Sequence, residues 1–419
     1  MKNKAMRVGT GLLAACLLIG LLVGCGPQPT STSPPVPSDI LPTTTPEPTA
    51  SGEAEAFRTV NLYYPETHGL SLKRQGVQMP STQLWYLDII TQLLLQPPEE
   101  AGLSPLFEGR ATLDRILQSK DVALVFLTGD LEALSEQSQF VSVIALINTL
   151  TELPDVEYVE VMLNGKRCRS INAMSYVDAG TSMNLESQWI RHQYYREHPE
   201  EKQLGETRHL LFFKDQSGSL LLPSVATGNV YDNDGMMTVL GELQQGPRVG
   251  ESLVAAMSNT LQITRTATAS EQVGGVEANV ASVWLTSPKH EIVEGMDLTL
   301  LCGSMTATLQ MTYPKIDYVR IYMDNKLTTA LSAIEGDNSG NWTLSHFLPL
   351  IGETTTLYFP QSDGLSLYPV ERAVNAERAH KLRASTEELL AGPQTYDPQS
   401  ITYAFPLGVS AADLLGLEI

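Results

Sequence analysis

Cysteine and histidine side chains are the first candidates for metal binding or nucleophilic chemistry in this chain of 419 residues. The four cysteines, at positions 16, 25, 168 and 302, form no CxxC pair, so their spacing does not support a zinc site or a redox motif. Cys168 and Cys302 occupy non-equivalent places in the repeated sequence unit, which favours two free buried thiols over a disulfide. His192 and His198 lie six residues apart, a spacing that does not align two imidazoles on one helix face, and their charged neighbours favour a solvated connector.

Carboxylates are the second set of candidates. Residues 232–235 (Asp-Asn-Asp-Gly) resemble part of a calcium loop, but the glycine is misplaced and no acidic twelfth ligand follows, so a helix-capping turn is favoured. The adjacent pairs Glu99–Glu100 and Glu387–Glu388 project apart and are typical of surface charge, not of a glycosidase dyad. The sequence contains no GxSxG, HExxH, GxGxxG or Walker pattern. We therefore predict no catalytic residue, no metal site and no cofactor.

Cys25 is the one residue for which the sequence predicts a defined chemical role. The N-terminus is positively charged, and the apolar run at residues 12–22 is too short to span a bilayer but fits a secretory signal. Leu-Val-Gly-Cys at residues 22–25 resembles a bacterial lipobox, in which the cysteine thiol receives diacylglycerol and becomes the new N-terminus. We expect residues 1–24 to be a lipoprotein signal peptide and Cys25 to anchor the chain at the extracytoplasmic face of the membrane. An ordinary signal peptide with an incidental cysteine is the alternative.

Charge and composition restrict the partners. The chain has 47 acidic and 27 basic residues, and after loss of residues 1–24 it would have 24 basic residues and a net charge of −23. Phosphate groups would repel such a chain, so we expect no nucleic-acid partner. Residues 25–56 are rich in Pro, Ser and Thr and predict a disordered, extended linker between the membrane and the folded part.

One unit of sequence occurs in three copies from residue 57 onwards. Runs of β-branched and aromatic residues around Leu62, Leu211 and Leu357 each meet a glycine-containing turn and a second apolar stretch, which predicts a hairpin. About twenty residues later each copy has apolar residues at spacings of three and four, which predicts an amphipathic helix. These helices are expected to end before the dipeptides Pro97-Pro98, Gly246-Pro247 and Gly392-Pro393.

The first two copies continue in parallel. Each has a buried strand (residues 122–128 and 280–286), a second helix (residues 140–150 and 298–309) and an alternating strand that ends in a turn at Asn164-Gly165 or Asp324-Asn325. The order β-β-α-β-α-β predicts an α+β fold of tandem small mixed-sheet domains with two helices each, the helices packed on one face of the sheet. The third copy stops at Ile419 before these elements, which favours a truncated gene record over completion of its sheet by a partner.

The repeats resemble the GerM domain in four features taken together. These features are an aromatic strand, a D-G-L turn, a Leu-Leu-x-Gly-Pro helix end and a closing strand before Lys166 or Lys326. That family occurs in sporulation and spore-germination lipoproteins. The resemblance covers most of residues 57–170, 207–330 and 353–419, and departs from the family pattern in an extra stretch around residues 264–275. It implies an extracytoplasmic domain that is not known as a catalyst, with a fold akin to the ring-building modules of sporulation channel proteins.

We therefore expect three GerM-like domains at residues 57–172, 207–333 and 353–419, the last incomplete, joined by connectors at 173–206 and 334–352. The expected function is that of a lipid-anchored, non-catalytic interaction or structural protein in sporulation, spore germination or cell-envelope organisation. Its expected partners are the membrane, through diacylglycerol on Cys25, and envelope or sporulation proteins, domains of the same kind among them. Two alternatives are a peptidoglycan-acting envelope enzyme, for which no reaction-ready residues are found, and a solute-binding lipoprotein, whose lobes would be longer alternating β/α halves.

Overall fold

Each of the first two repeats begins with a β-hairpin and ends in a four-stranded mixed sheet in the computed structural model. The predicted leader, Cys25 and the linker lie outside the described residues. The structure describes residues 57–67, 69–80, 86–131, 133–153, 156–167, 182–197, 207–228, 235–248, 252–288, 293–313, 315–334, 339–375, 381–395 and 397–404.

The first repeat confirms the predicted hairpin, helices and mixed sheet. Its elements are β1 (Phe57–Pro65), β2 (Ser71–Pro80), α1 (Tyr86–Leu95), β3 (Ala111–Ser119), β4 (Val122–Gly129), α2 (Glu136–Thr151), β5 (Tyr158–Leu163) and β6 (Lys166–Arg167). Strands β4 and β5 are parallel and α2 connects them, whereas β3 and β6 pair antiparallel on either side. The turn after β5 has positive φ at Asn164 (48°) and Gly165 (75°), as its sequence predicted.

The predicted element order omitted two strands of each repeat, namely β3 and the two-residue strand β6 and their counterparts in the second repeat. The register between β3 and β4 shifts between Leu113 and Arg115, so a bulge interrupts the alternation of apolar and polar residues. Polar residues such as Gln118 further hide the strand pattern in the sequence.

The second repeat has the same elements in the same order. They are β8 (Thr207–Asp215), β9 (Leu221–Gly228), α4 (Gly235–Gln245), β11 (Gln262–Val273), β12 (Val276–Thr286), α5 (Gly295–Thr312), β13 (Tyr318–Met323) and β14 (Lys326–Leu327), with the short strand β10 (Leu253–Val254) beside β8. The extra stretch around residues 264–275 lengthens the β11–β12 hairpin, whose turn has positive φ at Gly274 (60°) and Gly275 (86°). It is therefore an extension of an element common to both repeats.

The third repeat contains a hairpin and one helix, as predicted. These are β15 (Gly352–Pro360), β16 (Leu367–Asn375) and α7 (Lys381–Ala391), which ends at Gly392 with φ of 77°. Between the first two repeats, β7 (Ser182–Asn184) pairs with β2, and α3 (Glu186–Glu197) follows it. Between the second and third repeats, α6 (Leu344–Phe347) packs close to α5.

The helices of the first two repeats pack on one face of their own sheets, as predicted. In the first repeat Leu87 and Leu94 of α1 and Leu146 of α2 join one buried cluster with alternate residues of β4. In the second repeat Val239 of α4 and Leu301 of α5 join the equivalent cluster. Burial on this scale stabilises each domain by roughly 25 cal/mol for each Å² of apolar surface removed from water.

Candidate interaction surfaces

A helix lies beside the first strand of the hairpin in both complete repeats and accepts from a backbone N–H of that strand. The Tyr63 N–H donates to Thr149 Oγ1 at 3.0 Å, and the Phe212 N–H donates to Thr308 Oγ1 at 3.1 Å. Both bonds are buried, and Ser304 Oγ also donates to the Phe212 carbonyl. Backbone groups at a buried strand edge must be paired, so these hydroxyls allow α2 and α5 to cover the hairpin edges.

Replacing Thr308 by valine is expected to lower the free energy of unfolding by about 1–3 kcal/mol, because the Phe212 N–H would stay buried without its acceptor. Thr306 is the matched control, since it lies in the same helix and its buried hydroxyl has no hydrogen-bond partner in the described part of the chain. Thr306→Val should be neutral or stabilising in the same urea titrations. Equal losses for the two variants would contradict the role assigned to Thr308.

The outer face of the first sheet is covered by the second repeat. Leu124 and Phe126 of β4 and Met162 of β5 point away from α2 and are 0%, 5% and 2% exposed. They share a buried cluster with Phe212 of β8 and Met311 of α5. Further members are Leu117, Val122 and Tyr158 from the first repeat and Leu210, Leu221, Leu300 and Ala307 from the second. The two repeats thus dock through apolar surfaces that are as well buried as their cores.

A charged pair lies at the rim of this interface. The Arg167 guanidinium donates to both Glu160 carboxylate oxygens, with Nε to Oε2 at 2.6 Å, and its Nη1 donates to the Met311 carbonyl. The two side chains are 16% and 6% exposed. Because the pair is desolvated and bonded across the interface, it fixes the orientation of one repeat on the other.

The third hairpin packs against both other repeats. The Gln118 N–H donates to Glu353 Oε2 at 3.3 Å, the hydroxyls of Ser119 and Thr354 lie 3.3 Å apart, and Ile351 forms a bridge with Leu221. A cleft of about 260 Å³ lies where the three repeats meet, and its lining includes Lys120, Asp215 and Arg372. The Arg372 guanidinium is already bonded to Asp397, with Nη1 to Oδ1 at 2.8 Å.

The outer face of the second sheet presents large aromatic and cationic side chains. The rings of Trp284 and Tyr322 stack with centroids 4.9 Å apart, and Arg265 Cζ lies 3.8 Å from the centre of the Trp284 ring. Beside them Arg320 Nη1 donates to Glu271 Oε2 at 2.6 Å. We call Arg265, Trp284, Arg320 and Tyr322 the second-sheet face. Tryptophan, tyrosine and arginine are the residues most enriched at the energetic centres of protein interfaces.

The described histidines have structural roles. His192 stacks on Trp189 with centroids 5.5 Å apart and lies near Glu136, and burial lowers its pKa. The prediction of a solvated connector is therefore wrong for His192, because α3 packs its aromatic side on the first repeat. His209 is fully buried beside Glu242, and His346 caps α6. His198 lies outside the described residues.

The remaining sequence candidates are also accounted for. Cys302 is a free, fully buried thiol in α5, as predicted, and burial raises its pKa to about 12. Glu387 forms an exposed pair with Arg383, whereas burial raises the pKa of the half-buried Glu388. Glu388 is nevertheless a surface charge, as predicted, since its side chain is 38% exposed, and its Oε2 lies 4.0 Å from Nε of the buried Arg372. Cys168 and residues 232–234 lie outside the described part of the chain.

Within the described ranges, no group of three or more His, Cys, Asp or Glu residues is placed to hold a metal ion. Across the same ranges no helix is both long and apolar enough to cross a bilayer. The second-sheet face was missed in the sequence, although a signal was present. Ser282 and Trp284 replace the Leu124 and Phe126 of the first repeat at alternate positions of the equivalent strand, which makes that face more polar.

Comparisons with known proteins give one family match and several similar solved structures. Residues 61–168 match the sequence model of a family described as "Germane: Sporulation and spore germination". A search of curated proteins gave no match. The solved tandem GerMN domains of the sporulation protein GerM from Bacillus subtilis are similar, with 10% identity and a TM-score of 0.27, over 69% of this chain and 99% of that chain.

Two further solved structures are similar to parts of the chain. The first GerMN domain of the same Bacillus subtilis protein has 12% identity and a TM-score of 0.23, over 30% of this chain and 97% of that one. A putative lipoprotein from Clostridium perfringens has 16% identity and a TM-score of 0.18, over 31% of this chain and 89% of that one.

The fold and its surfaces define an α+β protein of tandem domains that pack face to face. Residues 61–168 of the first domain match the Germane family model, and the second domain has the same elements in the same order.

Proposed function

We propose that this chain is a non-catalytic interaction protein, lipid-anchored on the extracytoplasmic side of the membrane, that acts in sporulation, spore germination or cell-envelope organisation. The observation that carries the proposal is the match of residues 61–168 to a family of sporulation and spore germination. The leader sequence and the lipobox-like residues 22–25 supply the expected location.

The chemistry of the described residues supports binding over catalysis. His209, whose Nε2 lies 2.7 Å from Glu242 Oε2, is fully buried and therefore closed to a substrate. Arg167 and Arg372 are held in ion pairs that join structural elements. By contrast, the second-sheet face carries side chains suited to protein contacts.

The proposed role is tested by deleting the gene in the spore-forming organism that carries it. We expect fewer heat-resistant spores or slower germination, restored by the wild-type gene. A Cys25→Ser chain should be released from the membrane fraction and should restore the phenotype poorly, since it would no longer be held at the membrane. Wild-type spore yield and germination after deletion would contradict the role, and clearing of a peptidoglycan zymogram by the purified chain would contradict the absence of catalysis.

A further inference from the structure

Strand β11 lies at one edge of the second sheet, and across the described ranges no other strand pairs with its outer side. It has 12 residues, against 9 in the equivalent strand β3, and contains neither proline nor lysine. Every side chain in it is exposed or only partly buried. Its bulge lies at Thr264, so the residues after Thr264 form a continuous ladder with β12. A long edge strand of this kind is a template for pairing with another chain.

The corresponding edge of the first sheet is covered near its end by the third hairpin. There the Gln118 N–H donates to Glu353 Oε2 at 3.3 Å, and the hydroxyls of Ser119 and Thr354 lie 3.3 Å apart. In the second sheet the extra stretch around residues 264–275 lengthens this edge. The two repeats therefore differ here, because the edge is closed within the chain in the first and open in the described part of the second.

The backbone groups on the open edge of β11 belong to alternate residues. The turn at Gly274 and Gly275 has positive φ at both residues, 60° and 86°, as two-residue hairpin loops require. Such a turn makes Val273 and Val276 a hydrogen-bonded pair, and bonded and unbonded pairs then alternate along the ladder. The even-numbered residues of β11 after the bulge are therefore the unbonded ones, and their N–H and C=O groups point to the open edge.

The contacts of the neighbouring strand agree with this alternation. Asn279 of β12 lies opposite Ser270. The Asn279 N–H donates to Asp317 Oδ2 at 2.9 Å, and the Asn279 carbonyl accepts from the Asp317 N–H at 2.9 Å. Both backbone groups of Asn279 thus point away from β11, and those of Ser270 point away from β12. By the same alternation Thr266 and Thr268 present their N–H and C=O groups to the open edge.

The sequence of β11 is self-complementary about Thr268. When two copies pair antiparallel with Thr268 opposite Thr268, Arg265 of each chain lies opposite Glu271 of the other. These are the only two charged residues of the strand, so this register alone places opposite charges together at both ends. It also pairs even-numbered residues with one another, so the outward N–H groups of one copy meet the outward C=O groups of the other. The remaining matches are Thr266 with Ser270 and Ala267 with Ala269.

Both charged side chains are accessible to a second chain. Arg265 is exposed, with its Cζ 3.8 Å from the centre of the Trp284 ring. The Glu271 side chain is 39% exposed, and its Oε2 accepts from Arg320 Nη1 at 2.6 Å. A carboxylate accepts several hydrogen bonds, so Glu271 can bind Arg265 of a second copy while it keeps Arg320 of its own chain.

We propose that β11 of one chain pairs antiparallel with β11 of a second copy, with the two Thr268 residues at a two-fold axis. The contact joins two four-stranded sheets into one of eight strands. Both copies use the same edge, so association stops at a dimer. This inference deepens the proposed function by naming a second copy of the chain as a partner, and it rests on that function being one of interaction.

Sedimentation velocity of the full-length chain in mild detergent, over a concentration series, tests the pairing. We expect wild-type monomers and dimers, with a dimer fraction that rises with concentration. Arg265→Glu and Glu271→Arg should each weaken dimerisation by about tenfold or more, because each places like charges opposite each other twice in the contact. Arg383→Glu changes an exposed arginine of α7 and should leave dimerisation unchanged.

An equimolar mixture of the two charge variants separates the pairing from misfolding. In a mixed dimer the glutamate introduced at position 265 faces the arginine introduced at position 271, and the native Glu271 faces the native Arg265. Both contacts then join opposite charges, so the mixture should recover dimerisation, which misfolded variants could not do. A wild-type chain that stays monomeric, or a mixture that fails to recover, overturns the inference and points to a strand of another protein as the occupant of this edge.

Single-cysteine variants test the register. Thr268→Cys would bring two thiols together at the axis, where the Cα atoms of a hydrogen-bonded pair lie about 5.5 Å apart, within reach of a disulfide. Ser270→Cys is the matched control, since it is also exposed but its two copies would lie roughly 13 Å apart along the ladder. Under mild oxidation Thr268→Cys should give a dimer on a non-reducing gel, whereas Ser270→Cys and the wild-type chain should not. Equal cross-linking of the two variants, or none in either, overturns the inference. No result here bears on the spore phenotype, which tests the proposed function separately.

Discussion

Replacing Phe212 by alanine is expected to lower the free energy of unfolding by about 3–5 kcal/mol. The Phe212 ring is fully buried in the cluster that joins the first two repeats, and its backbone N–H and carbonyl are both held by α5. Truncation would therefore leave a cavity between two tightly packed domains. Urea titration followed by circular dichroism measures the change, and hydrogen exchange should increase on both sides of the interface.

Tyr358 provides the matched control within the same chain. It follows the anchor Leu357 of the third hairpin as Phe212 follows Leu211, so it occupies the same position of the repeat, but it is 57% exposed. Tyr358→Ala should change the free energy of unfolding by no more than about 0.5 kcal/mol. Similar losses for the two variants would show that Phe212 owes its importance to the strand and not to the interface between repeats.

Much of each repeat could be predicted from local sequence, because turns and helix ends depend on a few residues. Asp324 and Asn325 adopt the positive φ values, 47° and 64°, that their residue types favour. The helix α4 ends at Gly246, where φ is 90°, as the Gly-Pro signal predicted. Strands β3 and β11 escaped prediction because each carries a bulge, and a single extra residue reverses the alternation on which strand prediction depends.

Contacts between repeats could not be predicted in the same way. The continuous apolar run of β4 indicates that both faces are buried, but it does not identify what covers the outer one. The two sheets differ in outward-facing side chains such as Leu124 in the first and Ser282 in the second. This difference can be interpreted only once α5 and β8 are known to lie against the outer face of the first sheet. Likewise, 25 residues separate Arg372 from Asp397, and no local pattern links a strand residue to a residue after a helix.

Asp397→Ala is expected to lower the free energy of unfolding by about 3–5 kcal/mol, because it would leave the Arg372 guanidinium buried without its bidentate partner. Both side chains are 3% exposed, and Arg372 Nη1 donates to Asp397 Oδ1 at 2.8 Å. Glu388 Oε2 lies 4.0 Å from Arg372 Nε, too far for a hydrogen bond that would replace the lost one. The third repeat is the most sensitive place for such a loss, since its buried apolar cluster contains only Leu357, Phe359, Val370 and Ile401 among the described residues.

The exposed pair of Glu387 and Arg383 on α7 is the control, and Glu387→Ala should cost no more than about 0.5 kcal/mol. Hydrogen exchange should locate the Asp397→Ala loss in β15, β16 and α7, because the pair links β16 to the segment after α7. A double variant, Arg372→Met with Asp397→Leu, should recover much of the lost stability, since it removes both buried charges and leaves no unpaired ion. A double variant less stable than Asp397→Ala alone would show that the ion pair contributes more to the free energy of unfolding than the neutralisation of two buried charges. The hydrogen bond that the Gln394 N–H donates to Asp397 would then be the next interaction to test.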